Sequence, residues 1–305
     1  MKLPISIIIL TYNEEKNIEA CLKSVCDFAQ DIFIVDSFST DRTLEIVKEY
    51  TDKIFQHPFE TQAKQFNWAL ENLVVKADWV MRLDADEYVT KELKDELYEK
   101  LLTVLPEVTG LYVKRRVYFM RRWIRFGGYY PIWLLRIWRN KKAVCEERYM
   151  DEHIAITEGK VNFLENDIVE ENQKDLHMWI EKHNFYSIRE TIDLLNLKYK
   201  FFTSNGVTPD FFGTQEQRKR WLKKSFYSRL PLFIRTFLYF IYRYIFRLGF
   251  LDGKEGLIWH FLQGCWYRFL VDAKVYEIEK RTLKENKMIQ EVIKEVIIKI
   301  QKISF

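Results

Sequence analysis

Apolar and polar positions follow two rhythms along the first half of the chain. "ISIIIL" (5–10) is an unbroken aliphatic run, the pattern of a strand buried on both faces. In "EEKNIEACLKSVCDF" (14–28), Ile18, Cys21, Leu22 and Val25 recur at helical spacing. "DIFIVD" (31–36) predicts a second strand, and "SFSTDRTLEIVKEY" (37–50) a polar loop running into a helix. A short strand near 53–56, a helix from about 61 to 75 and a strand in "DWVMRL" come next. After a helix near 91–104, "GLYVKRRVYFM" (110–120) and "IWLLRIWRN" (132–140) read as further strands of mixed direction. Strands separated by crossover helices imply an α/β fold, with a largely parallel sheet covered by helices on both faces.

The second half is helical. The pattern runs through 174–200, then breaks at "TSNGVTPDFFG" (203–213), which collects Gly, Pro, Asn and Thr. A boundary within several residues of Gly213 divides the chain into 1–213 and 214–305. Amphipathic helices follow and end in "NKMIQEVIKEVIIKIQKI".

Composition narrows the class. With 48% hydrophobic and 30% charged residues, the 305-residue chain has ample core and is not an integral membrane bundle. The formal charge of +4 hides an asymmetry, because residues 218–250 hold nine Lys/Arg, eleven aromatics and no Asp/Glu. A mildly acidic body with one basic, aromatic segment points to an anionic surface as partner. Cys21, Cys26, Cys145 and Cys265 have neither metal-ligand spacing nor a redox motif, and nothing suggests an oxidising compartment. "MKLPISIIIL" has too short an apolar run for a secretory signal. The longest uncharged stretch near the carboxyl end, 256–267, spans about 18 Å as a helix, short of the ~30 Å hydrocarbon core. The expected place is the cytosol or its membrane face.

Chemistry concentrates where strands end. "WVMRLDADEYV" (79–89) sets Asp84, Asp86 and Glu87 directly after an apolar run. Open α/β sheets bind ligands at that carboxyl edge. Two carboxylates one residue apart there can converge on a divalent cation and the diphosphate it carries. The first strand ends in Thr11, Tyr12, Asn13, Glu14 and Glu15, and the second in Asp36 followed by "SFSTD". Three polar loops in register on one edge describe a ligand cleft. Asp41 suits a helix cap, whereas Asp36, at the strand's very end, does not.

Together, "SIIILTYNEEKNIEACLKSV", "IFIVDSFSTDRTLEIV", "QAKQFNWALENL" and "DWVMRLDADE" resemble the family 2 glycosyltransferases with the GT-A fold. Within that family the chain is most similar to the lipopolysaccharide-core and capsule enzymes, such as the β-1,4-glucosyltransferase group. The resemblance covers roughly residues 4–195. It implies that Thr11, Tyr12, Asn13 and Glu14 wrap the nucleobase and ribose of a nucleotide sugar, usually UDP-linked. Asp36 then matches the acid that accepts a hydrogen bond from the base. Lys64 and Asn67 fall in the segment facing the diphosphate and sugar, Lys64 being equally suited to a solvated helix face. Asp84 lies toward the ribose and Asp86 toward a Mg²⁺ or Mn²⁺ ion, which neutralises the leaving diphosphate.

An inverting transfer also needs a base for the acceptor hydroxyl. The resemblance implies a carboxylate in "RYMDEHIAITEGK" (148–160), where Glu152 is favoured and Asp151 stays open, with His153 as a hydrogen-bonded neighbour. Trp133 and Arg136 stand upstream, the ring suited to core packing or to stacking on an acceptor sugar.

In 218–250, Phe237, Leu238, Phe240, Ile241, Tyr244, Ile245 and Leu248 share one helical arc, with Arg235, Arg243 and Arg247 opposite. This pattern suits a helix lying on a membrane surface of anionic lipid through its arginines, with packing on the catalytic domain as the competing reading. Nucleic acid is not an expected partner, since no recognition fold accompanies the charge. The sequence therefore predicts a peripheral hexosyltransferase on the inner face of the cytoplasmic membrane. Its partners are a nucleotide-sugar donor and a cell-surface glycan or lipid-linked saccharide acceptor. A polyprenyl-phosphate sugar synthase with the same donor site, and a non-catalytic nucleotide-sugar binding protein at the membrane, are the rival readings.

Overall fold

A computed structural model describes residues 2–146, 152–201 and 210–301. The chain forms two compact units, one of 1–175 with 247–257 and the other of 176–246 with 258–305.

The first unit opens with β1 (Leu3–Thr11), α1 (Ile18–Val25), β2 (Ala29–Asp36), α2 (Thr43–Val47), β3 (Ile54–Gln56), α3 (Gln62–Asn72) and β4 (Trp79–Asp84). β1 pairs in parallel with β2 and β4, and β2 with β3. β1, β2 and β4 have both faces covered, while β3 is the exposed edge of the sheet. Ile5, Ile7 and Ile9 point into one core with Ile18, Leu22 and Val25 of α1. Ile8 points the other way, toward Phe66 and Ala69 of α3. An all-apolar strand is the direct consequence of two buried faces.

The unit continues with β5 (Glu87–Val89), α4 (Lys91–Lys100), β6 (Val108–Phe119), β7 (Arg122–Ile124), β8 (Ile132–Arg139), β9 (Ala143–Cys145), β10 (Ile154–Ile156) and β11 (Lys160–Glu171). The sheet order is β3-β2-β1-β4-β8-β6-β11-β5, with β7 beside β6. β8 runs antiparallel to both β4 and β6, while β11 is parallel to β6. The sheet is mixed and mostly parallel, as the GT-A fold requires. Its switch of strand direction at β8 falls beside the acidic end of β4.

β11 was not anticipated. "KVNFLENDIVEE" lacks alternation because its register with β6 slips between Phe163 and Asp167. The slipped backbone is held by buried Glu96 of α4, whose carboxylate accepts from the amides of Glu165 (2.8 Å) and Asn166 (3.0 Å). A carboxylate 70 residues away in the chain supplies partners that the sheet ladder cannot.

The second unit contains α5 (Leu176–Tyr199), α6 (Gln215–Ser225), α7 (Ile234–Ile241), the end of α8 (Gly253–Phe261), α9 (Tyr267–Glu285) and α10 (Ile289–Gln301). Ile192 and Leu195 of α5 pack on Val271 and Val275 of α9 and Val292 of α10. α5 thus belongs with the helices, and Gly213 lies inside the second unit. Thr214 starts α6 with a capping box closed by Gln217.

The one arginine of α7 faces inward. Arg235 and Thr236 are buried, and Arg235 pairs with buried Asp272 of α9 through its Nε at 3.0 Å. The same carboxylate accepts from the amide of Phe233 (2.8 Å), whose φ of 68° begins the helix. This corrects the expected display of Arg235 to solvent. A buried acid that needs a cation decides which face turns inward.

Candidate active site

β4 alternates, so Trp79, Met81 and Leu83 enter one core while Val80, Arg82 and Asp84 face the other side. Arg82 donates from Nε to Asp84 Oδ1 at 3.1 Å. Its second arm reaches Glu152 Oε1 at 3.4 Å. One nearly buried guanidinium therefore joins the acidic motif to the candidate base, which lies 70 residues beyond Arg82 in the chain.

Arg136 completes the cluster. Leu111 pairs with Ile137 and Tyr112 with Leu135, so Arg136 is the extra residue of a β-bulge in β8. The bulge aims it at Asp84 Oδ2 (2.8 Å) and Glu87 Oε1 (2.5 Å). Bulges re-aim side chains in this way beside functional sites. Glu87 Oε2 accepts the amide of Asp84 at 3.0 Å, which closes the turn. Arg115 pairs with Glu170 at 2.8 Å beside the same Glu87.

The two buried acids separate electrostatically. Burial alone would raise Asp84, but Arg136 and Arg82 outweigh it and hold the carboxyl well below the usual carboxylate range. Glu87 goes the other way, because burial first and then the charge of Asp84 exceed the pull of Arg136 and Arg115. It is pushed up to about 7. A carboxyl raised above its unfolded value stabilises the fold below that value and loses the contribution as pH rises through about 7. Glu87→Gln, which cannot ionise, is expected to flatten the pH dependence of the unfolding midpoint between about pH 5 and 8. An unchanged slope in urea titrations across that range would remove Glu87 as its source.

The other two loops meet the same edge. Asp36 is fully buried, and its carboxylate accepts from Thr11 Oγ1 (2.9 Å), Ser39 N (2.8 Å), Ser39 Oγ (2.5 Å) and Gln56 Nε2 (3.4 Å). Asn13, with a φ of 52°, accepts the amide of Thr40 at 2.8 Å. Asp41 takes the amides of Thr43 (3.0 Å) and Glu15 (3.1 Å), so it caps α2 and ties the loops together. Tyr12 and Phe38 stand more than half exposed on the two loops, and Phe38 has a φ of 61°. A bulky residue in that region signals backbone held for a purpose.

The segment after β11 binds the loops to the acidic turn. Asn172 Nδ2 donates to Asp86 Oδ2 at 2.9 Å, and Lys174 Nζ donates to Glu14 at 2.7 Å. Asn17 accepts the amide of Gln173 at 2.8 Å. Cys21 lies buried beneath, its thiol raised by burial and then by the acids, and donates to the carbonyl of Asp84.

Two expected contributors lie elsewhere. Asn67 forms a two-bond bracket with the backbone of Cys145, at 2.8 and 2.9 Å, which fastens α3 to β9. Lys64 pairs with Glu60 at 2.5 Å on the exposed face of α3. Trp133 packs edge-on against Phe163 with centroids 5.0 Å apart. Asp151 lies outside the described residues. Arg82, Asn172 and Lys174 were not foreseen as site residues, and Glu87 and Arg136 were noted in the sequence without a role. The arginines did carry a signal, since a guanidinium inside "WVMRLD" or "IWLLRIWR" must be paired when the strand is buried.

Asp86 is the acid best able to hold a metal. It is partly exposed, and the hydrogen bond from Asn172 uses only one of its oxygens, whereas both oxygens of Asp84 are engaged by arginine. Among the described residues no group of three or more His, Cys, Asp or Glu is arranged to hold a metal. An ion on Asp86 would be bound through oxygen, the preference of Mg²⁺ or Mn²⁺ over zinc.

Residues 6–148 match the model of glycosyl transferase family 2. The lipopolysaccharide core biosynthesis glycosyltransferase LpsC of Rhizobium meliloti is 29% identical over 288 residues, covering 90% of this chain and 93% of that protein. An uncharacterized glycosyltransferase of Rickettsia bellii is 38% identical over 93 residues. That match covers 30% of this chain and spans 31% of the relative's length. The crystal structure of S. aureus TarS 1–349 is 18% identical with a TM-score of 0.37, covering 94% of this chain and 92% of that one, too distant to speak to this site. The mixed sheet and the family match agree, and residues 6–148 form a family 2 glycosyltransferase domain of the GT-A fold.

Proposed function

We propose that this site moves a sugar from a nucleotide sugar, UDP-linked, to a hydroxyl of a cell-surface glycan or lipid-linked saccharide, with inversion at the anomeric carbon. The observation that supports the reading is the Glu152–Arg82–Asp84 chain, in which Arg82 reaches Asp84 at 3.1 Å and Glu152 at 3.4 Å. The relationship to LpsC supports a cell-envelope saccharide as acceptor.

The residues divide the work. Tyr12 and Phe38 offer exposed rings to the base, and stacking on such rings tolerates any base. Asp36 holds the two loops in place from below and, with Ser39 and Gln56 as movable donors, is the group that discriminates the base. Glu152 takes the proton of the acceptor hydroxyl as its oxygen bonds to the anomeric carbon, and the bond to the diphosphate oxygen breaks. Arg82 keeps Glu152 oriented toward the acceptor side. Asp86, steadied by Asn172, would hold a Mg²⁺ or Mn²⁺ ion, whose charge offsets that of the leaving diphosphate. No described helix is long and apolar enough to cross a membrane. Attachment to the inner face of the cytoplasmic membrane is assigned to the second unit.

A thermal-shift titration with nucleoside diphosphates tests the donor half. UDP with Mn²⁺ should raise the unfolding midpoint, by about 2.7 kcal/mol of stabilisation at a hundredfold excess over Kd. Asp86→Ala should abolish the metal-dependent part. Equal shifts by all nucleotides, or shifts indifferent to metal and to Asp86, would exclude this donor site.

A further inference from the structure

In α7, Ile234, Phe237, Leu238 and Ile241 fall at i, i+3, i+4 and i+7 and so share one face. That spacing ordinarily marks the side a helix buries. Here the sides are exchanged. Phe237 is 52% and Leu238 49% exposed, while Arg235 is 4% exposed and locked to Asp272. The exchange is built in, because Asp272 also anchors the amide of Phe233 where the helix begins.

The exposed face extends onto α9. Phe269 lies 6.2 Å from Phe237 and 4.9 Å from Phe233, and Tyr276 lies 6.2 Å from Phe233, measured between ring centroids. Phe269 and Tyr276 are themselves exposed. Contiguous apolar surface from two helices on a soluble unit marks an interaction site. The charge of the unit indicates the partner. Lys280 stands over the Tyr276 ring at the edge of this face, with Glu277 the exposed acid beside it. Arg218, Lys219 and Arg229 are exposed elsewhere in the same unit, and 218–250 contains no acid. An apolar face on a unit with this excess of exposed cations favours an anionic surface.

We propose that this face of α7 and α9 inserts into the headgroup region of an anionic phospholipid bilayer, holding the enzyme in the plane of the membrane. The inference rests on the membrane attachment read above and names the surface that makes it. Aromatic and aliphatic side chains enter the interface while the surrounding Lys and Arg meet the headgroups. Arg235, spent on Asp272, takes no part.

The test is sedimentation with vesicles of phosphatidylglycerol and phosphatidylcholine, using the full chain. The combined variant Phe237→Ser, Leu238→Ser, Ile241→Ser alters only exposed positions. It should lose vesicle partitioning on the order of a hundredfold and keep the wild-type unfolding midpoint and UDP response. If the variant binds vesicles as wild type does, the membrane attachment stands and this face is wrong. If wild type binds no vesicles, both fall. A wild-type dimer in analytical ultracentrifugation that the variant abolishes would assign the face to a second copy and overturn the proposal.

Discussion

Glu152→Gln is expected to lower turnover by about 10²–10⁴, the usual contribution of a positioned base, while leaving the UDP-induced thermal shift unchanged. Gln keeps the size of the side chain and an oxygen for Arg82, so the 3.4 Å contact has a neutral substitute. The loss should appear in kcat and disappear from donor binding, since the acceptor's proton is transferred only in the chemical step. Asp151→Asn serves as the companion variant. If it is the one that collapses, the base is Asp151. If both variants keep wild-type turnover, the acceptor needs no base, and a phosphate acceptor of the polyprenyl type becomes the reading. Loss of the UDP shift in Glu152→Gln would place the residue on the donor side.

Arg136→Met should be the most destabilising of these substitutions. It leaves Asp84 with Arg82 alone and removes from buried Glu87 its nearest cation. Breaking a buried ion pair from one side costs about 3–5 kcal/mol, because the remaining charge is stranded. Urea unfolding should show the midpoint falling with the slope unchanged. Adding Glu87→Gln should recover part of the loss, since the stranded carboxylate is then gone, and the two effects should not add. Arg136→Lys should fall between, because an ammonium lacks the fork that spans two carboxylates. A loss under about 1 kcal/mol, typical of an exposed pair, would mean that the cluster is solvated and that its pairing does not organise the turn.

Much of the first unit was legible in the chain. Strands buried on both faces must be continuously apolar, so "ISIIIL" and "DIFIVD" announced β1 and β2. The end of each such run located a loop on the carboxyl edge, and Thr11, Asn13, Asp36, Asp84 and Asp86 all lie there. β11 was hidden because its bulged backbone is held by Glu96, and a contact 70 residues away leaves no local pattern. The structural partner of Asn67 was hidden for a similar reason. The Asn67 amide suits a phosphate as well as a backbone, and only the approach of Cys145 chose between them.

The reversed helix shows the division most clearly. Periodicity determined that α7 has an apolar face and an arginine face, since 100° per residue is a property of the backbone. Which face turns inward was decided by Asp272, on a helix that begins 26 residues beyond the end of α7. In the same way the chain by itself determined an α/β sheet with acids on its ligand edge. That Arg136 sits on a bulge, that Arg82 joins Asp84 to Glu152, and that Glu87 is held up beside Asp84 were decided only by tertiary structure. Local sequence governs which dihedrals and which faces are available. Burial and charge are shared properties of residues far apart, and they acquire values only when the strands come together.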